Sequence, residues 1–277
     1  YKLLFITIIV AVNIYLYAKL LFITLTNLCG IKISKEKWNL IYFNSQFLNS
    51  IPLFGIFYRA ISLKKFNLNY DKFFGIYILI SWFFIFLSLL IFSIETYFIF
   101  NDIKFFKINL YVIFFISSLF FLVSPILLLI LLKQIIKKKK FGSNNFIYRL
   151  EKIIDLFLSS ISNKAFLKNF LLVFALIHIF EFLALYQLVD SLNKNIGFQN
   201  SFLLFMGNIL IDSFNIIPQN LVVSEIGLGL LTNQMNFNFE LGVLIKIYYR
   251  FLIFFASIFI AIIYNIFILT KYKNQKN

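Results

Sequence analysis

Five stretches carry apolar residues on every side of a helix: Leu3 to Leu28, Phe73 to Phe100, Phe105 to Leu132, Ala165 to Ser191 and Glu240 to Leu269. A membrane-spanning helix needs about 20 mostly apolar residues, and a helix with no polar face has no side to offer to water. Each stretch is therefore predicted to span a bilayer. The first is too long for a signal peptide and lacks a small-residue cleavage site, so it too reads as a true span.

Two further stretches are apolar but interrupted. Residues 38–66 contain Asn44, Ser45, Gln46, Asn49, Ser50, Pro52, Gly55 and Arg59, and residues 201–234 contain Asn208, Asp212, Asn215, Pro218, Gln219, Asn220, Ser224 and Glu225. Irregular backbone at membrane depth survives only where protein or a water-filled cavity supplies hydrogen-bond partners, so each stretch is expected to form a re-entrant helical hairpin. The segments overlay on proline: Asn49-Ser-Ile-Pro52 matches Asn215-Ile-Ile-Pro218, and seven residues beyond each proline stand Arg59 and Glu225. Interrupted segments of opposite topology that meet near the midplane are the mark of an inverted repeat with its substrate site at the junction. The expected fold class is thus an all-α polytopic membrane protein of about five transmembrane helices plus two re-entrant hairpins in an inverted repeat. All 277 residues are read as one integral membrane domain.

Charge sets the orientation. If residues 30–72, 133–168 and the tail from Lys271 are cytoplasmic, nineteen of the 26 basic residues lie on that side, against Lys2, Lys104, Lys107 and Lys194 opposite. That is the bias of a cytoplasmic face. Residues 133–164 then form a cytoplasmic basic loop, whose stretch 145–157 suits a helix lying on anionic lipid.

Composition agrees and excludes other classes. Hydrophobic residues are 61% and charged residues 13%, where a soluble domain carries about 25% charged. The formal net charge of +15 is accounted for by the loops, so no nucleic-acid partner is expected. Cys29 and His178 are the only Cys and His; they are too few for a disulfide or a zinc site, and neither metal nor cofactor is expected. No G-x-S-x-G, P-loop, G-x-G-x-x-G or H-E-x-x-H pattern points to an enzyme. Gly227 and Gly229 are read as helix-packing glycines.

Ionisable residues at membrane depth cost about 2.5 to 3.5 kcal/mol each and are the functional candidates: Lys19, Arg59, Glu181, Asp212, Glu225, Lys246 and Arg250. Lys246 and Arg250, four apart, share one helical face. The plainer reading is that Asp212 or Glu225 simply neutralises one of them. Lys19 and Glu181 have a plainer reading still, snorkelling from near a span end. His178 and Glu181, three apart, permit a proton relay, but a lone intramembrane histidine hydrogen-bonded to its neighbour is the favoured reading.

The second hairpin carries a resemblance. Pro218-Gln-Asn-Leu221-Val-Val223-Ser-Glu225, with Arg250 in the last span, is similar to the P-G-G-L-G-V-R-E signature of the lysylphosphatidylglycerol synthase transmembrane-region family, also called flippase-like. Gly30-Ile-Lys-Ile-Ser and Pro52-Leu-Phe-Gly55-Ile-Phe-Tyr-Arg59-Ala60 resemble that family's P-x-x-G-x-x-x-R-A segment and its surroundings. Gln219 and Asn220 replace two of the signature's glycines, Val222 a third, and Ser224 its arginine; amide side chains there supply donors in place of bare backbone. The family usually has one more span at its start, which fits a chain that opens on Tyr1 without its first helix.

The resemblance implies a protein of the prokaryotic inner membrane that moves or handles an amphipathic lipid, an aminoacylated phospholipid or a polyprenyl-phosphate carrier, with no soluble aminoacyl-transferase domain. The expected site comprises Arg59, Glu225, Arg250, Lys246, Asn49, Asn215 and Asp212, opened by helix breaks at Pro52, Gly55 and Pro218. Membrane lipid is the expected partner. The alternatives are a non-transporting partner of a glycosyltransferase or lipid-modifying enzyme, and a secondary transporter of a small solute.

Overall fold

The computed structural model describes residues 1–49, 53–99, 104–105, 108–138, 145–192, 196–213 and 222–274. Among them the regular structure is helical except for one pair of two-residue strands. The helices are α1 (Lys2–Cys29), α2 (Lys35–Leu48), α3 (Phe54–Lys64), α4 (Tyr70–Ile99), α5 (Leu110–Lys138), α6 (Asn145–Ser162), α7 (Lys164–Leu192), α8 (Gly197–Ser213), α9 (Val223–Gln234) and α10 (Phe239–Asn274). The strands β1 (Lys104–Phe105) and β2 (Ile108–Asn109) pair antiparallel ahead of α5. Pro52, Asn215 and Pro218 fall outside the described residues.

Among the described residues, four helices are long and apolar enough to cross a membrane: α1, α4, α7 and α10. The third predicted span begins later than expected. Phe105 belongs to the strand pair, and the helix starts at Leu110, with a described apolar stretch of Leu110–Pro125. Lys104, Lys107 and Asn109 put too much polarity ahead of it for the apolar run to begin at Phe105.

The chain divides into two compact units. The first comprises Tyr1–Leu68 and Lys168–Asn277. Its long element is α10, whose 36 residues extend about 54 Å at 1.5 Å per residue. Near the C-terminal end of α10, Asn265 Nδ2 donates to Asn44 Oδ1 at 2.8 Å, the Tyr264 ring meets Phe43 at 5.1 Å, and Lys271 pairs with Glu36. Order along α10 falls as order along α2 rises, so α2 runs antiparallel to it. Near the N-terminal end, a Cβ on Gly242 would strike the Leu228 carbonyl and Thr232, and one on Gly229 would meet the Phe239 ring at 2.6 Å. Here α9 lies against α10, again antiparallel, and the glycines are what let the backbones approach. Gly227 likewise faces Ile211 on α8.

Capping explains the entry to α2. Gly30 ends α1 in the left-handed region at φ 64°, and the Ser34 hydroxyl accepts from the Lys37 amide at 3.4 Å to start α2. Trp38, fully buried, then donates its indole N–H to the Ala18 carbonyl at 2.7 Å, fixing α2 to α1. At the far end of α2 a Cβ on Gly55 would collide with Asn49 and the Ser45 carbonyl. Only a glycine lets α3 fold back so closely on α2.

The second unit is Asn69–Leu167. Its α4 and α5 form an antiparallel pair: Ser93 Oγ donates to the Tyr111 carbonyl at 2.9 Å near the turn, and Trp82 Nε1 to the Phe121 carbonyl at 2.9 Å further along. The apolar face of α6, expected to lie on lipid, is turned to α4: Ile153 and Leu156 abut Gly75, and Phe157 stacks on Trp82 at 4.6 Å. The amphipathic pattern is satisfied by a helix neighbour.

Candidate functional site

Within the first unit, a cavity of about 790 Å³ opens beside the middle of α10. Five helices build its wall. From α10 come Lys246, Tyr249, Arg250, Ile253, Phe254 and Ser257; from α1 Val10, Asn13, Ile14 and Tyr17; from α2 and its cap Tyr42, Gln46 and Asn49; and from α7 and α8 Glu181 and Asp212. The spacings on α10 and α1 are those of one helical face, repeating at three and four residues.

Lys246 is 3% exposed. Its ammonium donates to Asn208 Oδ1 at 2.6 Å and to both Asp212 carboxylate oxygens at 2.8 and 2.6 Å. An ammonium has three donors, and here three acceptors meet it. Its role in this geometry is counter-ion to Asp212, whose own side chain is 42% exposed. One turn on, Arg250 Nη1 pairs with Glu225 Oε1 at 2.7 Å and Nη2 donates to the Ser224 hydroxyl at 2.6 Å. Ser224 and Glu225 lie in the first turn of α9, where the helix dipole favours a carboxylate. The neutralising pairs anticipated from the sequence are therefore formed, Asp212 with Lys246 and Glu225 with Arg250.

Of the expected site residues, Asn49, Asp212, Lys246 and Arg250 line the cavity, and Glu225 joins through Arg250. Arg59 does not line it. The Arg59 side chain is 4% exposed, with its guanidinium 5.2 Å over the ring of Tyr42, which is part of the wall. Gly55 acts in the α2–α3 crossing rather than at the cavity.

Several wall residues escaped the sequence reading. Asn13, 6% exposed, has a side-chain oxygen with no hydrogen-bond partner among the described residues. Tyr17 donates to Glu181 Oε2 at 3.4 Å. A face made of Val10, Asn13, Ile14 and Tyr17 was readable from its spacing, but the strong hydropathy of α1 hid it. Glu181 is eleven residues from the end of α7, about 16 Å along the axis, and it lines the cavity instead of snorkelling from a helix end. His178 packs its ring against Phe174 at 5.2 Å and Phe205 at 5.1 Å.

Long apolar helices with ion pairs set among them define a polytopic helical membrane protein with a polar cavity. The chain matches the family described as lysylphosphatidylglycerol synthase TM region over residues 1–261, and it belongs to that family. It is accordingly an integral membrane protein, with a family relation to lipid handling. No curated protein and no solved structure matches it.

Proposed function

We propose that this protein is flippase-like, translocating or handling an anionic or aminoacylated lipid of the prokaryotic inner membrane, either a phospholipid or a polyprenyl-phosphate carrier. The observation that carries the reading is the amphipathic cavity. Arg250, Asp212, Glu181, Asn49 and Gln46 share its wall with Phe251, Phe254, Ile253 and Val10. A volume of about 790 Å³ falls in the range of small-ligand pockets. It suits a headgroup whose acyl chains stay among the apolar helices.

In this reading the two helix pairs are re-entrant hairpins of an inverted repeat, accompanying about five spans. The helices α2, α3 and α9, of 14, 11 and 12 residues, reach about 21, 16 and 18 Å, short of a core about 30 Å thick. Their contacts with α10 support opposite entry. The outer part of α2 meets α10 near Lys271 and Asn265 while Asn49 reaches the cavity. The outer part of α9 meets Gly242 while Glu225 meets Arg250. The basic-residue bias puts the outer end of the first hairpin on the cytoplasmic side.

Arg250 is the phosphate-binding base. Its guanidinium is 24% exposed, and a lipid phosphate would share it with Glu225 as a charge-assisted acceptor. Lys246 holds Asp212 in place. Asn49 contributes hydrogen bonding at the hairpin tip, and Arg59 sets the Tyr42 ring. A charge-assisted hydrogen bond contributes about 1.5–3 kcal/mol, so Arg250→Gln and Glu225→Gln should slow translocation about tenfold or more. The assay is dithionite quenching of fluorescent phosphatidylglycerol in proteoliposomes. Unchanged rates in folded variants would sink the assignment.

A further inference from the structure

Among the described residues, the charged groups that line the cavity or pair with its lining do not balance, Arg59 lying over the Tyr42 ring and not in the wall. The carboxylates of Glu181, Asp212 and Glu225 stand against the bases Lys246 and Arg250. Asp212 is paired with Lys246 at 2.6 Å and Glu225 with Arg250 at 2.7 Å. Among the described residues no basic side chain pairs with Glu181, whose hydrogen bond comes from the neutral Tyr17 hydroxyl at 3.4 Å. Around Glu181 stand Tyr17 on α1, Tyr42 on α2, Asp212 on α8, and Lys246, Tyr249 and Arg250 on α10. Its own helix adds His178 one turn earlier, between two phenylalanine rings. Asp212 lines the same cavity as Glu181, and the Lys246 ammonium already meets three acceptors.

A carboxylate at membrane depth without a counter-charge is costly. A single added positive charge restores neutrality to the set. The smallest carrier of that charge is a proton, which needs no coordination shell.

We propose that Glu181 is a reversible proton-binding site in the cavity wall, and that its protonation couples occupancy of the cavity to the proton gradient across the membrane. The step is a simple transfer. A hydronium ion in the cavity gives its proton to a Glu181 carboxylate oxygen, leaving water and a neutral carboxylic acid; the reverse transfer to water restores the carboxylate. With Glu181 neutral, the phosphate of a ligand at Arg250 meets one negative charge fewer across the cavity. Binding of the anion and of the proton therefore favour each other, as linkage requires. The inference rests on the cavity being the working site proposed above, and it concerns what energises that site.

Two readouts separate its failure from failure of the lipid reading. In the first, the full chain in nanodiscs is titrated while infrared difference spectra follow the carbonyl stretch of a protonated carboxylic acid. A titrating band is expected in the native chain and is lost in Glu181→Gln, while Asp190→Asn, in the exposed pair with Lys2, keeps it. Absence of the band, or its persistence in Glu181→Gln, overturns the proton site whether or not lipid moves. Should Glu181→Gln fail to fold, Tyr17→Phe takes its place: loss of the hydroxyl must move the midpoint of the band, and an unmoved midpoint overturns the proposal. A band that responds to added sodium or ammonium at fixed pH, and not to pH, replaces the proton with a bound cation and also overturns it.

The second readout is the steady-state distribution of fluorescent phosphatidylglycerol between leaflets under an imposed pH gradient. One coupled proton biases the ratio by up to about tenfold per pH unit. The native chain should show that bias, and Glu181→Gln should equilibrate the probe with none. Equal bias in both chains overturns coupling through Glu181. A probe that never moves, beside a titrating Glu181 band, retires the lipid reading and leaves the proton site standing.

Discussion

The two hairpins meet α10 differently. The pair α2–α3 is held by close backbone approach at Gly55, by the Trp38 indole on α1 and by the Asn44–Asn265 amide bond. The pair α8–α9 meets α10 both at the glycine crossings of Gly229 and Gly242 and by charge beside the cavity, through Asp212 with Lys246 and Glu225 with Arg250. Each returning helix starts from a non-glycine residue at positive φ, Leu53 at 69° and Val222 at 72°. Overlay on proline equates Arg59 with Glu225, yet Glu225 lies three residues past its helix cap and Arg59 six past its own. The likeness between the hairpins is therefore one of backbone reversal, and the charges do not share a register. One hairpin has become a scaffold, its Glu36–Lys271 pair lying exposed at the outer end, and the other carries the ion pairs of the cavity.

The sharpest way to break that division is to remove charge from the second hairpin's partner. Lys246→Met leaves Asp212 and Asn208 without their shared donor. Loss of one member of a buried pair costs about 3–5 kcal/mol, and because Asp212 is partly exposed the lower end is expected. Thermal unfolding in detergent measures it. Replacing both partners, Lys246→Met with Asp212→Leu, should recover most of the loss. If the double variant is as unstable as the single one, the pair is not what couples α8 to α10.

Next in size are the close crossings. Gly55→Ala places a methyl group against Asn49 and the Ser45 carbonyl, and Gly242→Ala places one against the Leu228 carbonyl. Overpacking of this kind costs about 1–3 kcal/mol. A backbone carbonyl yields less readily than a side chain, so neither variant has an easy escape. The scaffold role of the first hairpin predicts that Gly55→Ala lowers the unfolding temperature and also impairs lipid translocation, by displacing Asn49 from the cavity wall.

Membrane class and the α1, α4, α7 and α10 spans were legible because long all-round apolarity has few other meanings in a chain this poor in charge. The pairing of Lys246 and Arg250 on one face was legible too, since four-residue spacing on a helix is a geometric fact. Glu181 was legible as an ionisable group at membrane depth but not as part of the cavity wall, because its position relative to lipid depends on which neighbours α7 packs beside. Nor was the place of Arg59: sequence puts it in a hairpin, but only packing puts the Tyr42 ring between it and the cavity. The α4 neighbour of α6 was not legible for the same reason, as an amphipathic stripe does not say whether lipid or another helix covers it.

The positive-φ residues offer a smaller and opposite effect. Val222 stands where the family signature has glycine, and its φ of 72° is a region that β-branched residues avoid. Relief of that strain, about 1–2 kcal/mol, less the extra flexibility of an unfolded glycine, about 0.5–1 kcal/mol, makes Val222→Gly stabilising by about 1 kcal/mol. Leu53→Gly should gain less, since leucine is not branched at Cβ. A destabilised Val222→Gly chain, measured by the same thermal unfolding, would show that the valine side chain contributes more than its backbone costs.

The smallest effect separates the hairpins most cleanly. The Asn265 amide donates to Asn44 Oδ1 at 2.8 Å and also to the Ala261 carbonyl at 2.7 Å within its own helix. Side-chain hydrogen bonds between membrane helices average about 0.6 kcal/mol by double-mutant cycle, because the separated helices find other partners. Here that partner is already present on α10, so the Asn44→Ala, Asn265→Ala cycle should give a coupling energy at or below that average. A value several times larger would mean that the first hairpin, like the second, is fixed to α10 by polar contact, and the distinction between scaffold and charged hairpin would not hold.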